Sequence, residues 1–177
     1  MGRGQAARKT GAVTTTFVAL LRRVNVGGDA VETLPHSGNV VFDASANAGE
    51  AIAARAHKLL ARGPDFDAPI ALRDGDDWLR LVAGNPFLAA GADSDILHAA
   101  CLSAAPSAAR IARLEPDRSP ADAFVVVGAD VYLSLPNGVA RSKLSNAWLE
   151  ARLGIVSTMR NWRIVTKLAA MVEARRR

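Results

Sequence analysis

Apolar residues recur along this chain with a period that switches repeatedly between two and about three and a half. Residues 14–22 are β-branched and then apolar, with Phe17, Ala19 and Leu21 on one face, which predicts a first strand. Residues 31–42 read as strand at both ends, interrupted by Pro35, which lacks a ladder donor and belongs at an edge or bulge. A helical period runs over residues 47–62: Ile52, Ala56, Leu59 and Leu60 form its stripe, Asn47 and Glu50 make a capping-box-like pair, and Gly63-Pro64 ends it. Residues 68–73 form a short predicted strand. Asp74 then caps a helix carrying Trp78, Leu79, Leu81 and Val82, closed by Gly84-Asn85-Pro86.

The second half repeats this alternation without repeating the sequence. A strand is predicted over residues 95–103 and a helix over 106–114, the latter stopped by Glu115-Pro116. Two apolar runs, 124–127 and 131–135, flank Gly128-Ala129, and glycine first in a two-residue loop signals a type II′ hairpin. After the Pro136-Asn137-Gly138 turn, a helix over 142–153 presents Leu144, Ala147, Trp148 and Ala151 and stops at Gly154. The last helix, 161–175, buries Trp162, Val165, Leu168, Ala169 and Val172. Strands interleaved with short helices, together with a hairpin, argue for an α+β fold with mainly antiparallel sheet.

At 177 residues the chain suits one domain or two small subdomains. Half of it is hydrophobic, but alanine supplies much of that half and aromatics only 5%, so a core of small side chains and modest stability is expected. A single cysteine, Cys101, excludes an intramolecular disulfide and a cysteine-rich zinc site. No apolar stretch is long enough to predict a transmembrane helix. The basic opening residues run directly into the first strand without a separate apolar signal segment, so a cytoplasmic location is expected, with residues 1–13 a disordered basic extension.

Four strings stand out: LLRRVNVGG (residues 20–28), SGNVVF (37–42), RSKL (141–144) and TMRNW (158–162). Together they resemble the signatures of the family known as domain of unknown function 1697, which reads LLRGINVGG, a helix, SGNVVF and, near its end, SKL and RNW. The resemblance spans residues 16–170 and implies two α/β subdomains, a ferredoxin-like N-terminal one over 14–90 and a smaller C-terminal one over 91–177. It implies no established activity. This chain departs from the pattern in two places. Only residues 29–36 separate NVGG from SGNVVF, too few for a helical crossover, so the N-terminal subdomain is expected to be truncated, without its first helix. Arg23 stands where the family has glycine. Three outcomes follow: antiparallel pairing through a tight loop, a bare sheet face covered by a homodimer partner, or a poorly folded half.

Candidate chemistry gathers around these strings. Asn25, Gly27 and Gly28 follow a strand, where backbone amides of a glycine turn can nest an anion; the plain reading is a turn needing glycine torsions. Ser37, Gly38 and Asn39 offer a hydroxyl, a flexible backbone and an amide to a small ligand, or else a bulge with local hydrogen bonds. Arg141, Ser142 and Lys143 sit at the start of one predicted helix, and Arg160, Asn161 and Arg163 begin another. A helix start attracts anions, so adjoining starts would make a pocket for phosphate or carboxylate; solvated arginines beside ordinary caps are the alternative.

The formal net charge of +5 is unevenly placed: +5 over residues 1–23, −7 over 24–140 and +7 over 141–177. That asymmetry suggests an anionic partner near the C-terminal segment, against the plainer reading that the arginines solvate two terminal helices. His36, His57 and His98 do not gather, and His98 and Cys101 fall on opposite faces of their strand. No metal-ligand spacing, cofactor fingerprint or catalytic constellation is present. The expected function is therefore a non-enzymatic α+β module binding an anionic metabolite or nucleotide, without cofactor or membrane. Weak nucleic-acid binding through the basic C-terminal segment, or a degenerate inactive paralogue, are the alternatives.

Overall fold

The computed structural model describes residues 14–21, 32–34, 38–45, 51 and 70–177. The 1–13 extension, Arg23 and the shortened 29–36 connection other than Glu32–Leu34, which form a strand, lie outside these residues, and so does the expected loss of the first helix. Of the helix expected over 47–62 only Ala51 is described, and it is helical. The fold is α+β, built on two four-stranded antiparallel sheets.

The first sheet contains β1 (Thr14–Leu21), β2 (Glu32–Leu34), β3 (Asn39–Ser45) and β4 (Ile70–Asp74), in the order β2-β3-β1-β4. Helix α1 (Gly75–Ala83) leaves β4 directly, and α2 (Pro86–Ala89) is a single turn capped by Asn85. The second sheet contains β5 (Leu97–Leu102), β6 (Ala123–Val127), β7 (Asp130–Ser134) and β8 (Ser157–Asn161), in the order β6-β7-β5-β8. One turn, α3 (Ala108–Ile111), links β5 to β6; α4 (Asn146–Leu153) links β7 to β8; α5 (Trp162–Arg175) follows β8. Each sheet thus arranges its four strands in the same order, second-third-first-fourth, which is the ferredoxin-like arrangement. The two halves share a topology that their sequences conceal.

Several boundaries move from the sequence reading. The SGNVVF strand does pair antiparallel with β1, Phe17 opposite Phe42 and Leu20 opposite Asn39, but the chain visits β2 first rather than making a tight hairpin. A 3₁₀ turn over Ser94–Ile96 delays β5 to Leu97. The helix expected over 106–114 shrinks to one turn. The helix expected from Ser142 starts at Asn146, because a 3₁₀ turn, Val139–Arg141, follows the Gly138 bend and Ser145, not Ser142, caps the helix by accepting from Trp148 N at 3.2 Å. The hairpin reading holds: Gly128 has φ +58° between β6 and β7.

The main core lies between the two halves. Val18, Leu20, Val41, Trp78 and Leu81 come from the first, and Leu97, Ala99, Tyr132, Trp162, Val165 and Leu168 from the second. All five residues expected on the inner stripe of α5 are buried. The core is not built from small side chains as composition suggested. Trp78 and leucines such as Leu20, Leu97, Leu133, Leu149 and Leu168 are fully buried, while many alanines occupy exposed positions. The outer face of the first sheet (Phe17, Ala19, Leu21, Val40 and Phe42) is also buried within the single chain, so it is not bare.

Two arginines fasten the halves reciprocally. Each precedes the residue that caps the helix after its half's last strand: Arg73 before Asp74, Arg160 before Asn161. Arg73 reaches into the second half, donating to Leu102 O at 2.8 Å, Ala129 O at 2.8 Å and Asp130 at 3.1 Å. Arg160 reaches into the first, donating to Leu21 O at 3.0 Å and Asn39 Oδ1 at 2.7 Å. The targets correspond as well. Leu21 and Leu102 end the first strand of each half, and Asn39 and Asp130 open the third, opposite Leu20 and Cys101. At the centre, Trp78 Nε1 donates to Val165 O at 3.1 Å, joining equivalent positions of α1 and α5.

Asp130 shows the energetics of this seam. Burial pushes its carboxyl up, and the Arg73 guanidinium opposes that shift. With both side chains largely buried, losing one partner leaves the other charge uncompensated. Arg73→Met is expected to cost about 3–5 kcal/mol in a urea unfolding titration, while Arg73→Met combined with Asp130→Leu recovers much of that loss. Equal losses for the single and double variants would show that the ion pair is not what matters there.

Candidate functional site

Strand β8 has two working faces because successive side chains point to opposite sides. Thr158 and Arg160 turn towards the first half. Ser157 and Met159 turn towards α4: Ser157 Oγ bonds Asn146 Oδ1 at 2.9 Å, and Met159 packs under the helix. Ser157 N also donates to Glu150 Oε1 at 3.0 Å, fixing α4 above the start of β8. Glu115 holds the outer side of α4 through Trp148 Nε1 and Arg152.

A cleft of about 630 Å³ opens where α4 and α5 begin, within the range of small-molecule sites. Ser145, Asn146 and Ala147 line it from the start of α4, and Asn161 and Ile164 from the start of α5. Glu150, Met159, Arg160, His98 and Val139 complete its wall. An adjoining lobe of about 330 Å³ shares His98, Val139 and Asn161 and adds Asp95 and Arg163. The caps keep both helix starts ordered, Ser145 accepting from Trp148 N and Asn161 Oδ1 from Ile164 N at 2.9 Å.

Electrostatics follow from this lining. Arg160 and Arg163 on the lining are matched in number by Glu150 and Asp95, so the formal side-chain charges sum to zero. The two helix termini then tip the potential positive, each equivalent to roughly half an elementary charge. His98 lies on the shared wall, its Nδ1 3.4 Å from Ile96 O. It occupies the register position that Phe17 holds in the first half. Burial pushes its pKa below the ordinary value, only partly offset by the Ile96 carbonyl, so the imidazole is neutral at pH 7. Cys101 points to the opposite face, as expected. Burial, aided by Asp130, pushes its thiol up to about 12, so it is an inert core sulfur.

The residues singled out from the sequence fall into three groups. Asn25, Gly27, Gly28 and Ser37 lie outside the described residues. Asn39, Arg160, Asn161 and Arg163 come together along β8 and the start of α5, with Asn39 buried and holding Arg160 rather than local backbone. Gly38 takes the positive φ of +62° that its bend requires, its carbonyl accepting from Leu21 N at 2.6 Å. The third group stays outside the cleft. Arg141 ends the 3₁₀ turn and is exposed; Ser142 Oγ accepts from Leu144 N; Lys143 is exposed, with its amide on Ser119 Oγ at 3.2 Å. Pattern reading missed His98, Ser145, Asn146 and Glu150. Only Ser145, a second serine ahead of the same apolar stripe, left a usable signal.

Much of the C-terminal positive charge is engaged internally. Arg175 pairs with Asp43, Arg176 with Asp76, Arg152 with Glu115, and Arg160 is committed to the seam. Among the described residues no three His, Cys, Asp or Glu side chains could hold a metal ion, and no helix is long and apolar enough to cross a membrane.

The model of the family described as "Protein of unknown function (DUF1697)" matches residues 14–132. The chain belongs to this family. A solved structure, the conserved bacterial protein SP0830 from Streptococcus pneumoniae, is similar in fold, with a TM-score of 0.60 at 16% identity, covering 90% of this chain and 99% of that one. No curated protein matches the sequence significantly. The family match ends inside β7, so α4, β8 and α5, which supply most of the cleft, lie beyond it.

The lowered pKa of His98 links folding to pH. Its neutral form is favoured by the fold, so its contribution is fully present above the unfolded value of about 6.5 and is lost as pH falls through the lower folded value. Histidine NMR titration is expected to show His98 titrating below that value, and His98→Phe to flatten the stability profile across this range. A His98 resonance titrating at or above 6.5 would contradict the burial argument.

Proposed function

We propose that this protein is a non-enzymatic binding module whose cleft takes a small anionic metabolite or nucleotide. The reading rests on one observation above all: the starts of α4 and α5 open onto a single cleft whose lobe holds Arg163, and the lining side-chain charges, Arg163 included, sum to zero. An anionic group seated there would meet the amide ends of two helices and the Arg163 guanidinium, while neutral His98 and the amides of Asn146 and Asn161 would orient its polar remainder. Binding rather than turnover is favoured because the one thiol is buried and inert. Nucleic acid is favoured less, because Trp78, Trp148 and Trp162 are all buried and offer no face for base stacking.

Thermal-shift and calorimetric titration with phosphate, nucleoside monophosphates and dicarboxylates tests this reading. An anion at about a hundred times its dissociation constant stabilises the fold by about 2.7 kcal/mol. Arg163→Ala is expected to abolish that stabilisation and Lys143→Ala to leave it intact, since Arg163 lines the adjoining lobe and Lys143 lines neither the cleft nor the lobe. No response to any of these anions, or equal effects of the two substitutions, would refute the proposal.

A further inference from the structure

Strand β6 is an edge of the second sheet, and nothing in its sequence guards that edge. Natural edge strands carry charge, proline or a bulge to prevent pairing with other chains. The first half follows this rule: β2, the equivalent edge, places Glu32 at the register position that Val125 occupies in β6. β6 reads Ala-Phe-Val-Val-Val, pairs with β7 residue for residue without a bulge, and leaves Val125 37% and Val127 51% exposed.

We infer that β6 pairs with β6 of a second copy of this chain, antiparallel and centred on Val125. The hairpin fixes which backbone groups are available. In a two-residue loop the flanking residues, Val127 and Asp130, form a hydrogen-bonded pair, so the amides and carbonyls of Val127, Val125 and Ala123 face β7. Those of Phe124 and Val126 face outwards. A twofold axis through Val125 sets Phe124 against the second copy's Val126 and Val126 against its Phe124, so every outward group finds a partner. Val125 meets its own copy as a close non-hydrogen-bonded pair, and Val127 meets Ala123. All pairs are apolar, so no charge is buried and the two sheets become one of eight strands. Such self-complementarity commits the edge to a second copy rather than to an unrelated peptide. Two five-residue strands bury less than the roughly 800 Å² per partner of a standard interface, so association is weak and concentration-dependent.

Sedimentation of the full chain over a wide concentration range tests this, with Val125→Cys and Val127→Cys read in parallel. The average mass is expected to rise towards twice that of the chain. Val126→Pro removes an outward amide that β7 does not use, and should keep the melting transition while abolishing the rise. Under mild oxidation Val125→Cys should form a covalent dimer, because the two sulfurs meet at the axis. Val127→Cys, although more exposed, should not, because its copies lie about 13 Å apart along the strand. A monomer at every concentration, an association that Val126→Pro leaves unchanged, or cross-linking through Val127→Cys in preference to Val125→Cys would each overturn the proposal. None of these results bears on anion binding at the cleft, which lies at the other edge strand of the sheet.

Discussion

The reciprocal clasp of Arg73 and Arg160 is the constraint on which the molecule turns. Each half is a small sheet that hides one face in the other half, and beside each face a side chain crosses from the opposite strand end. The arginines act where strand carbonyls run out of ladder partners: Leu21 and Leu102 each finish a first strand, and a guanidinium from across the seam takes the terminal oxygen. Because the same two elements then continue into α1 and α5, the clasp also sets how those helices meet around Trp78. The halves differ in what answers each cation. Asp130 gives Arg73 a carboxylate, whereas the equivalent Asn39 gives Arg160 a neutral oxygen.

That asymmetry bears on function. The same β8-to-α5 corner that supplies Arg160 to the seam supplies Asn161 and Ile164 to the cleft. The cleft is thus built on a rigid junction, and its shape depends on the inter-half contact behind it. Replacing the aromatic position of the first half by His98 in the second introduces polarity on the cleft wall, where Phe17 stacks on Phe42 instead. One topology therefore carries a closed apolar face in one half and a polar recess in the other.

Much of this was legible in the sequence, and the exceptions have physical causes. Periodicity located β1, β4, the hairpin, α1 and α5 because each has a regular stripe and a clear stop such as Gly84 or Gly128. The α4 boundary slipped because two serines, Ser142 and Ser145, both suit a cap, and only three-dimensional closure of the Val139–Arg141 turn chooses between them. Alanine-rich composition misled about the core, since composition does not say which residues are inside. Arg160 and Asn161 were correctly placed at one corner. Yet arginine next to a helix start does not reveal that its guanidinium points back across the molecule to Asn39. The repeated strand order was invisible because pairing partners lie far apart in sequence and the residues themselves differ.

Cys101 closes the account of the seam. It is the chain's sole sulfhydryl, fully covered between the halves beside Asp130 and held in its unreactive form. Alkylating reagents can reach it only when the two sheets part, so its rate of labelling is a clock for that opening, set into the molecule without any engineered probe.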